Sequence, residues 1–155
     1  GYAPSLPPER FAALGARHVS NLDELVGACD FLTLHLPLTP QTRNIIDARR
    51  IGMMKRGAVL VNCARGGLVD EPALCEALRE CRLRAAAVDV FAGEPPPPDH
   101  PFFSLPNVLL TPHMAAHTDE AMRRMAMGAA ERILEVLDGK PPRDVVNPRY
   151  VEYAR

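Results

Sequence analysis

The chain has 155 residues, enough for one ordinary domain with a core of its own. Hydrophobic residues make up 47 % and charged residues 24 %, the balance of a soluble globular protein. With a formal net charge of −1 there is no excess of cations to attract nucleic acid or an anionic membrane surface, and no run approaches the roughly 20 apolar residues of a membrane helix.

Four cysteines, Cys29, Cys63, Cys75 and Cys81, are scattered without a CxxC pair. That usage points to reduced thiols in a cytoplasmic protein, with no disulfide framework and no metal site. The start carries nothing like a signal peptide, and it opens without methionine, mid-phrase, on GYAPSLPPERF. A truncated or processed product is the expectation.

In chain order, NLDELVGAC (21–29) reads as a helix, with Asn21 as N-cap and Glu24 at capping-box spacing. FLTLHL (31–36) is a β-rich run halted by Pro37, and DARRIGMMK (47–55) is a short helix. AVLVN (58–62) is a second strand. DEPALCEALREC (70–81) is a helix capped by Asp70, with Pro72 in its first turn. AAAVDVF (85–91) and NVLLT (107–111) complete four strands, separated by a rigid proline-rich loop, GEPPPPDHP (93–101). The longest helix runs from about Asp119 to Asp138 and ends at Gly139 and Pro141. Its stripe of Met122, Met125, Ala129, Ile133 and Val136 or Leu137 reads as core packing. The tail PPRDVVNPRYVEYAR is extended or irregular.

Alternating strands and helices imply βαβ units and a doubly wound parallel sheet, an α/β fold of Rossmann-like type. The strands are nearly all apolar, as strands covered on both faces are. The expected division is a nucleotide-binding domain portion over 1–140 and a returning tail over 141–155.

In an open parallel sheet the loops leaving the carboxyl ends of the strands share one edge, where ligands bind. Arg65, in VNCARGGLVDEP (61–72), follows the second strand; Asp89 and Glu94 end or follow the third; His113 follows the fourth. Taken singly, these are a solvated arginine, a turn at GEP and a loop histidine. Arriving together, they suit oxidation of an alcohol by hydride transfer. Histidine takes the hydroxyl proton, a carboxylate such as Glu94 orients the ring, and arginine grips a carboxylate through its planar fork. Gly66 and Gly67 permit a sharp turn and close approach to a bulky ligand. His35 reads as a buried strand-end ring with its hydrogen bonds satisfied. Cys63 admits a thiol-nucleophile reading with His113 as base, although no oxyanion-hole glycine pattern accompanies it.

These stretches resemble the D-isomer-specific 2-hydroxyacid dehydrogenases. The matches run in order through LDEL, CDFLTLHLPLTPQTRNII, VNCARGGLVDEPAL, AAVDVFAGEPPP, LPNVLLTPHMAAHTDEA and DVVNP, covering nearly the whole chain. VNCARGGLVDEPAL is most similar to the D-3-phosphoglycerate dehydrogenase branch. The resemblance implies that His113 is the acid/base, Glu94 its partner and Arg65 the residue on the 2-oxo or 2-hydroxy acid. It implies that Asp89 meets the nicotinamide carboxamide, that Cys63, Ala64 and the run His113, Met114, Ala115 and Ala116 line the nicotinamide end, and that Pro37 lies along the dinucleotide.

The chain departs from the family in four ways. The GxGxxG phosphate loop and the substrate domain are not in it, which implies a fragment whose sheet is incomplete on its N-terminal side and whose apolar edge a homodimer would cover. Ala3 stands where the family often has an aspartate on the adenosine ribose, so NADP stays open beside NAD. Ala115 and His117 replace a common glycine and serine. An NAD-sensing co-repressor of the same fold and an inactive fragment are the other readings, and the substrate stays open among phosphoglycerate, glycerate, glyoxylate, formate and lactate chemistry.

Overall fold

The structure, a computed structural model, describes residues 1–147 and residue 149. The chain divides into two compact units, Gly1–Met114 and Ala115–Arg155.

In the first unit the strands β1 (Phe31–Leu34), β2 (Val59–Asn62), β3 (Ala85–Val88) and β4 (Val108–Leu110) pair in parallel, in the order β1-β2-β3-β4. The helices are α1 (Pro8–Ala13), α2 (Leu22–Ala28), α3 (Ala48–Met53) and α4 (Glu71–Arg79). Side-chain caps start three of them: Asn21 accepts from the amide of Asp23, Asp47 from Arg50 at 2.8 Å and Asp70 from Ala73 at 3.0 Å. Asp23 ties α2 to α3 by accepting from both Arg49 and Arg50 at 2.7 Å. These guanidinium bonds, Arg49 foremost, hold its carboxyl down at about 2.

Two elements go beyond the sequence reading. Helix α1 begins with Pro8 after Pro7, and a 3₁₀ turn covers Pro101–Ser104, again with proline at its start. Proline tolerates a first helical position, so these prolines begin short helices as well as forbidding long ones.

The core lies under one face of the sheet. Leu32, Leu34, Leu60, Ala86 and Val88 are buried with Val26, Ile51, Leu74 and Leu78 of the helices and with Phe102. The opposite face is open: Phe31 is 65 % and Leu109 68 % exposed, and Val59, Val61, Ala85 and Ala87 are half-buried. Within the first unit, then, helices cover one face of the sheet. Strands laid down in sequential order advance the sheet in one direction, and right-handed crossovers then put every connecting helix on the same side.

The second unit contains α5 (Asp119–Leu137), capped by Thr118, which accepts from the amide of Ala121 at 3.1 Å; beyond its end Gly139 has φ +71°. None of its residues is buried, and Met122, Met125, Ile133, Val136 and Leu137 are exposed. The stripe expected as core is thus not buried within the described part of the second unit. The described part of the tail, residues 141–147, is irregular as expected, and it is tied to α5 by charge: Arg143 Nε donates to Glu135 at 2.8 Å and Arg132 lies 3.6 Å from Asp144. The tail's last residues fall outside the described ones, apart from residue 149. No helix among the described residues is long and apolar enough to cross a membrane.

A one-faced core makes an unequal pair of truncations. Leu60→Ala, at a position 0 % exposed, is expected to lower the unfolding free energy by about 2–5 kcal/mol, whereas Leu109→Ala, 68 % exposed, should stay within ~1 kcal/mol of the parent. Urea denaturation checks both. Equal losses would mean that both faces are buried.

Candidate functional site

The strand register sets the site. Leu34, Asn62, Val88 and Leu110 are partners in one row across the sheet, so the loops that follow them leave from a single edge. Arg65, Asp89, Glu94 and His113 all follow this row, as the sequence suggested.

The arginine loop is folded by Asn62, which is 3 % exposed. Its amide nitrogen donates to the carbonyl of Arg65 at 2.9 Å, and its Oδ1 accepts from the amide of Ala64 at 3.1 Å. Asparagine bonding its own backbone two residues on is a local turn device, so "VN" at the strand end was a readable signal that the sequence reading passed over. Gly67 turns the chain at φ +77°. Gly66 has a different duty from the one expected: a Cβ there would lie 1.7 Å from the carbonyl oxygen of Phe91, so the glycine admits the loop after β3 rather than a ligand. Arg65 is exposed, with Nη1 donating to the carbonyl of Ala64 at 2.6 Å, and no carboxylate pairs with it among the described residues.

The two carboxylates of the next loop divide the work around His113. Glu94 Oε2 lies 2.8 Å from His113 Nδ1, while its Oε1 accepts the amide of Phe91 at 3.0 Å. The His113 bond, then the Phe91 amide, hold the Glu94 carboxyl below its ordinary value against a smaller opposing effect of burial. An ionised carboxylate only accepts, so Nδ1 carries the proton and the neutral ring keeps Nε2 as its open acceptor, an assignment made from the hydrogen-bond network.

Asp89, 2 % exposed, fastens the backbone instead. Its carbonyl accepts the amide of His113 at 2.8 Å, and its Oδ1 accepts the amide of Met114 at 2.8 Å and the hydroxyl of Thr111. These bonds hold His113 at φ +53°, in the left-handed region that few residues other than glycine adopt. A cavity of about 370 Å³ opens beside the pair, lined by Phe91, Glu94, Pro95, Phe103, Thr111 and His113 among others.

Other expected residues are less engaged. Pro37 is exposed on the loop after β1, its carbonyl accepting from the Thr42 hydroxyl at 2.7 Å. Ala3 lies on the N-terminal turn, its carbonyl accepting from Leu6. Cys63 is a free, exposed thiol, and no hydrogen bond joins it to His113 among the described residues. Ala115 and Ala116 belong to the second unit. His35 is exposed rather than buried, although its ring does have a partner, the Thr33 hydroxyl at 3.0 Å. It follows β1, an edge strand of the sheet.

Residues 1–115 match the D-isomer specific 2-hydroxyacid dehydrogenase family, NAD binding domain. The chain is 50 % identical over 147 residues to the D-3-phosphoglycerate dehydrogenase of Methanocaldococcus jannaschii, covering 95 % of this chain and 28 % of that protein. It is 46 % identical over 139 residues to the glyoxylate reductase of Aeropyrum pernix, covering 90 % and 41 %. The NAD-complexed D-isomer specific 2-hydroxyacid dehydrogenase of Lactobacillus delbrueckii ssp. bulgaricus superposes with a TM-score of 0.84 at 32 % identity, over 94 % of this chain and 48 % of that one. The chain thus spans less than half the length of each of these relatives, and its fold is their Rossmann-like α/β fold.

The contact between Gly66 and Phe91 yields a direct expectation. Gly66→Ala should lose ~3 kcal/mol or more of stability by overpacking against backbone, while Gly93→Ala, with nothing within 4 Å of the added carbon, should lose less than ~1 kcal/mol. Thermal or urea unfolding distinguishes them, and a fully stable Gly66→Ala would contradict the close approach.

Proposed function

The chain belongs to the D-isomer specific 2-hydroxyacid dehydrogenase family, and on that premise we propose that it supplies the nicotinamide-facing half of an NAD-dependent oxidoreductase acting on a 2-hydroxy or 2-oxo acid. The observation that carries the reading is the His113–Glu94 pair, 2.8 Å apart, from the loops after the last two of four aligned strand ends.

The donor set suits such a cofactor and substrate. Pro37, Cys63 and Ala64 offer small uncharged surface for a flat ring along the same edge, and Arg65 offers an exposed guanidinium without a carboxylate partner among the described residues. The nicotinamide, when bound, supplies the hydride donor or acceptor. Everything else in the reading falls to side chains of this chain. Arg65 takes the substrate carboxylate through two parallel N–H bonds. His113 Nε2 accepts the hydroxyl proton in the oxidising direction and returns it to the carbonyl oxygen in the reducing direction. Glu94 keeps the ring in the tautomer that leaves Nε2 free, and favours the imidazolium once the proton has arrived. Asp89 keeps the left-handed turn of His113 in place and borders the nicotinamide carboxamide. Met114 continues that border.

Both curated relatives act, by their names, on small acids whose carboxylate adjoins the reacting carbon, and Arg65 is fitted to that shared group. Phosphoglycerate has in addition a phosphate that none of the proposed site residues addresses.

NADH added to this chain should give saturable nicotinamide fluorescence, free of tryptophan background because the sequence has no Trp. In the protein that contains this chain, His113→Gln should lower kcat with a 2-oxo acid by at least ~10²-fold. Arg65→Lys should act chiefly on KM. Near-normal turnover in the His113 variant would remove it from the mechanism.

A further inference from the structure

Apart from the His113–Glu94 pair, the first unit holds a second histidine–glutamate couple. Glu71 opens α4, and His100 precedes the 3₁₀ turn; their side chains are only 16 % and 11 % exposed. His100 Nδ1 accepts the amide of Phe102 at 3.3 Å, so the proton of the neutral ring sits on Nε2 and is donated to Glu71 Oε2, also at 3.3 Å. The ring is wedged among Phe91, Phe102 and Phe103, at centroid distances of 5.3, 4.9 and 6.0 Å. The other oxygen, Glu71 Oε1, accepts the amide of Ala92 at 2.7 Å.

That last bond falls on a decisive peptide. The Ala92 N–H and the Phe91 carbonyl belong to one planar unit. Its N–H is held by Glu71, and its carbonyl faces Gly66, where a Cβ would come within 1.7 Å. The next amide back, that of Phe91, is the one Glu94 accepts at 3.0 Å. Turning the chain about Phe91 would therefore break the Glu71 bond, move the Phe91 carbonyl off Gly66 and carry the following residues, Glu94 among them, away from the Phe91 amide.

We propose that Glu71 and His100 are positioning residues, which lock the Phe91–Ala92 peptide against Gly66 and so fix Glu94 beside His113 and at a set spacing from the Arg65 loop. Neither side chain touches the reacting atoms; they act through the backbone. The proposal rests on the reading of Glu94 and His113 as the acid/base pair.

The test follows the Glu94 carboxyl carbon of the whole chain, labelled with ¹³C-glutamate, through a pH titration by NMR. In the parent this carboxyl titrates below the ordinary glutamate range, held there by His113 and the Phe91 amide, with burial and the nearby Asp89 opposing. Glu71→Ala should move its midpoint upward. His100→Phe, which keeps the aromatic packing and removes both ring nitrogens, should move it upward by less. The double variant should move it by less than the two single effects together, because both act on one peptide. Asp70→Ala removes the cap of the same helix and should reduce stability while leaving the midpoint in place. His113→Gln must raise the midpoint too; if it does not, the pair itself is misread. If His113→Gln raises it while folded Glu71→Ala and His100→Phe leave it at the parent value, the positioning role is overturned. Should Glu71→Ala not fold, His100→Phe decides the question alone.

Discussion

The parallel register of four short strands is the constraint on which the rest depends. Leu34, Asn62, Val88 and Leu110 fall in one row, so the loops after them must begin at one edge. Residues from 65 to 113 become neighbours without any need for one to search for another. A slip of one residue in any pair would also exchange the buried and open faces of that strand, so the packing of Leu60 and Val88 on the covered side enforces the alignment.

Given that edge, the polar side chains divide by duty. Asn62, Asp89 and Glu71 are buried or mostly so, and each has at least one hydrogen bond to a backbone amide or carbonyl of the loops. Loop backbone packed this tightly has to find partners for its N–H and C=O groups, and these three provide them. Arg65 and His113 are thereby left exposed, on loops that are held from beneath. Exposure gives them access to a ligand, and the buried residues give them fixed positions. The same division explains two glycines side by side: Gly66 admits the Phe91 carbonyl and Gly67 makes the left-handed turn.

Much of this was legible in the sequence. Every expected strand formed, because runs such as AVLVN are bounded by clear turn residues, and α2 and α4 start at the caps Asn21 and Asp70. Arg65, Glu94 and His113 were expected at one sheet edge from their positions after the strands, and the register puts the loops that carry them there. What periodicity cannot carry is the identity of a partner. The methionine stripe of α5 is amphipathic as read, yet nothing in a 3.6-residue repeat says what its apolar side packs against, and within the described part of the second unit it is exposed. Likewise, alanine and valine runs suit a sheet covered on one face as well as two. Glu71 and His100 were missed because their bonds reach 21 and 29 residues along the chain, whereas Asn62 acts within three and left a signature that could have been used.

The central claim is that Glu94 fixes the tautomer of His113, so that Nε2 is the atom that exchanges a proton with substrate. The ¹⁵N spectrum of histidine-labelled chain, taken at a pH where the ring is neutral, tests it most directly. The account predicts a protonated Nδ1 and an unprotonated Nε2 for His113, with mixed tautomers once Glu94 is changed to glutamine. A His113 ring protonated on Nε2, or one indifferent to the loss of Glu94, would contradict it.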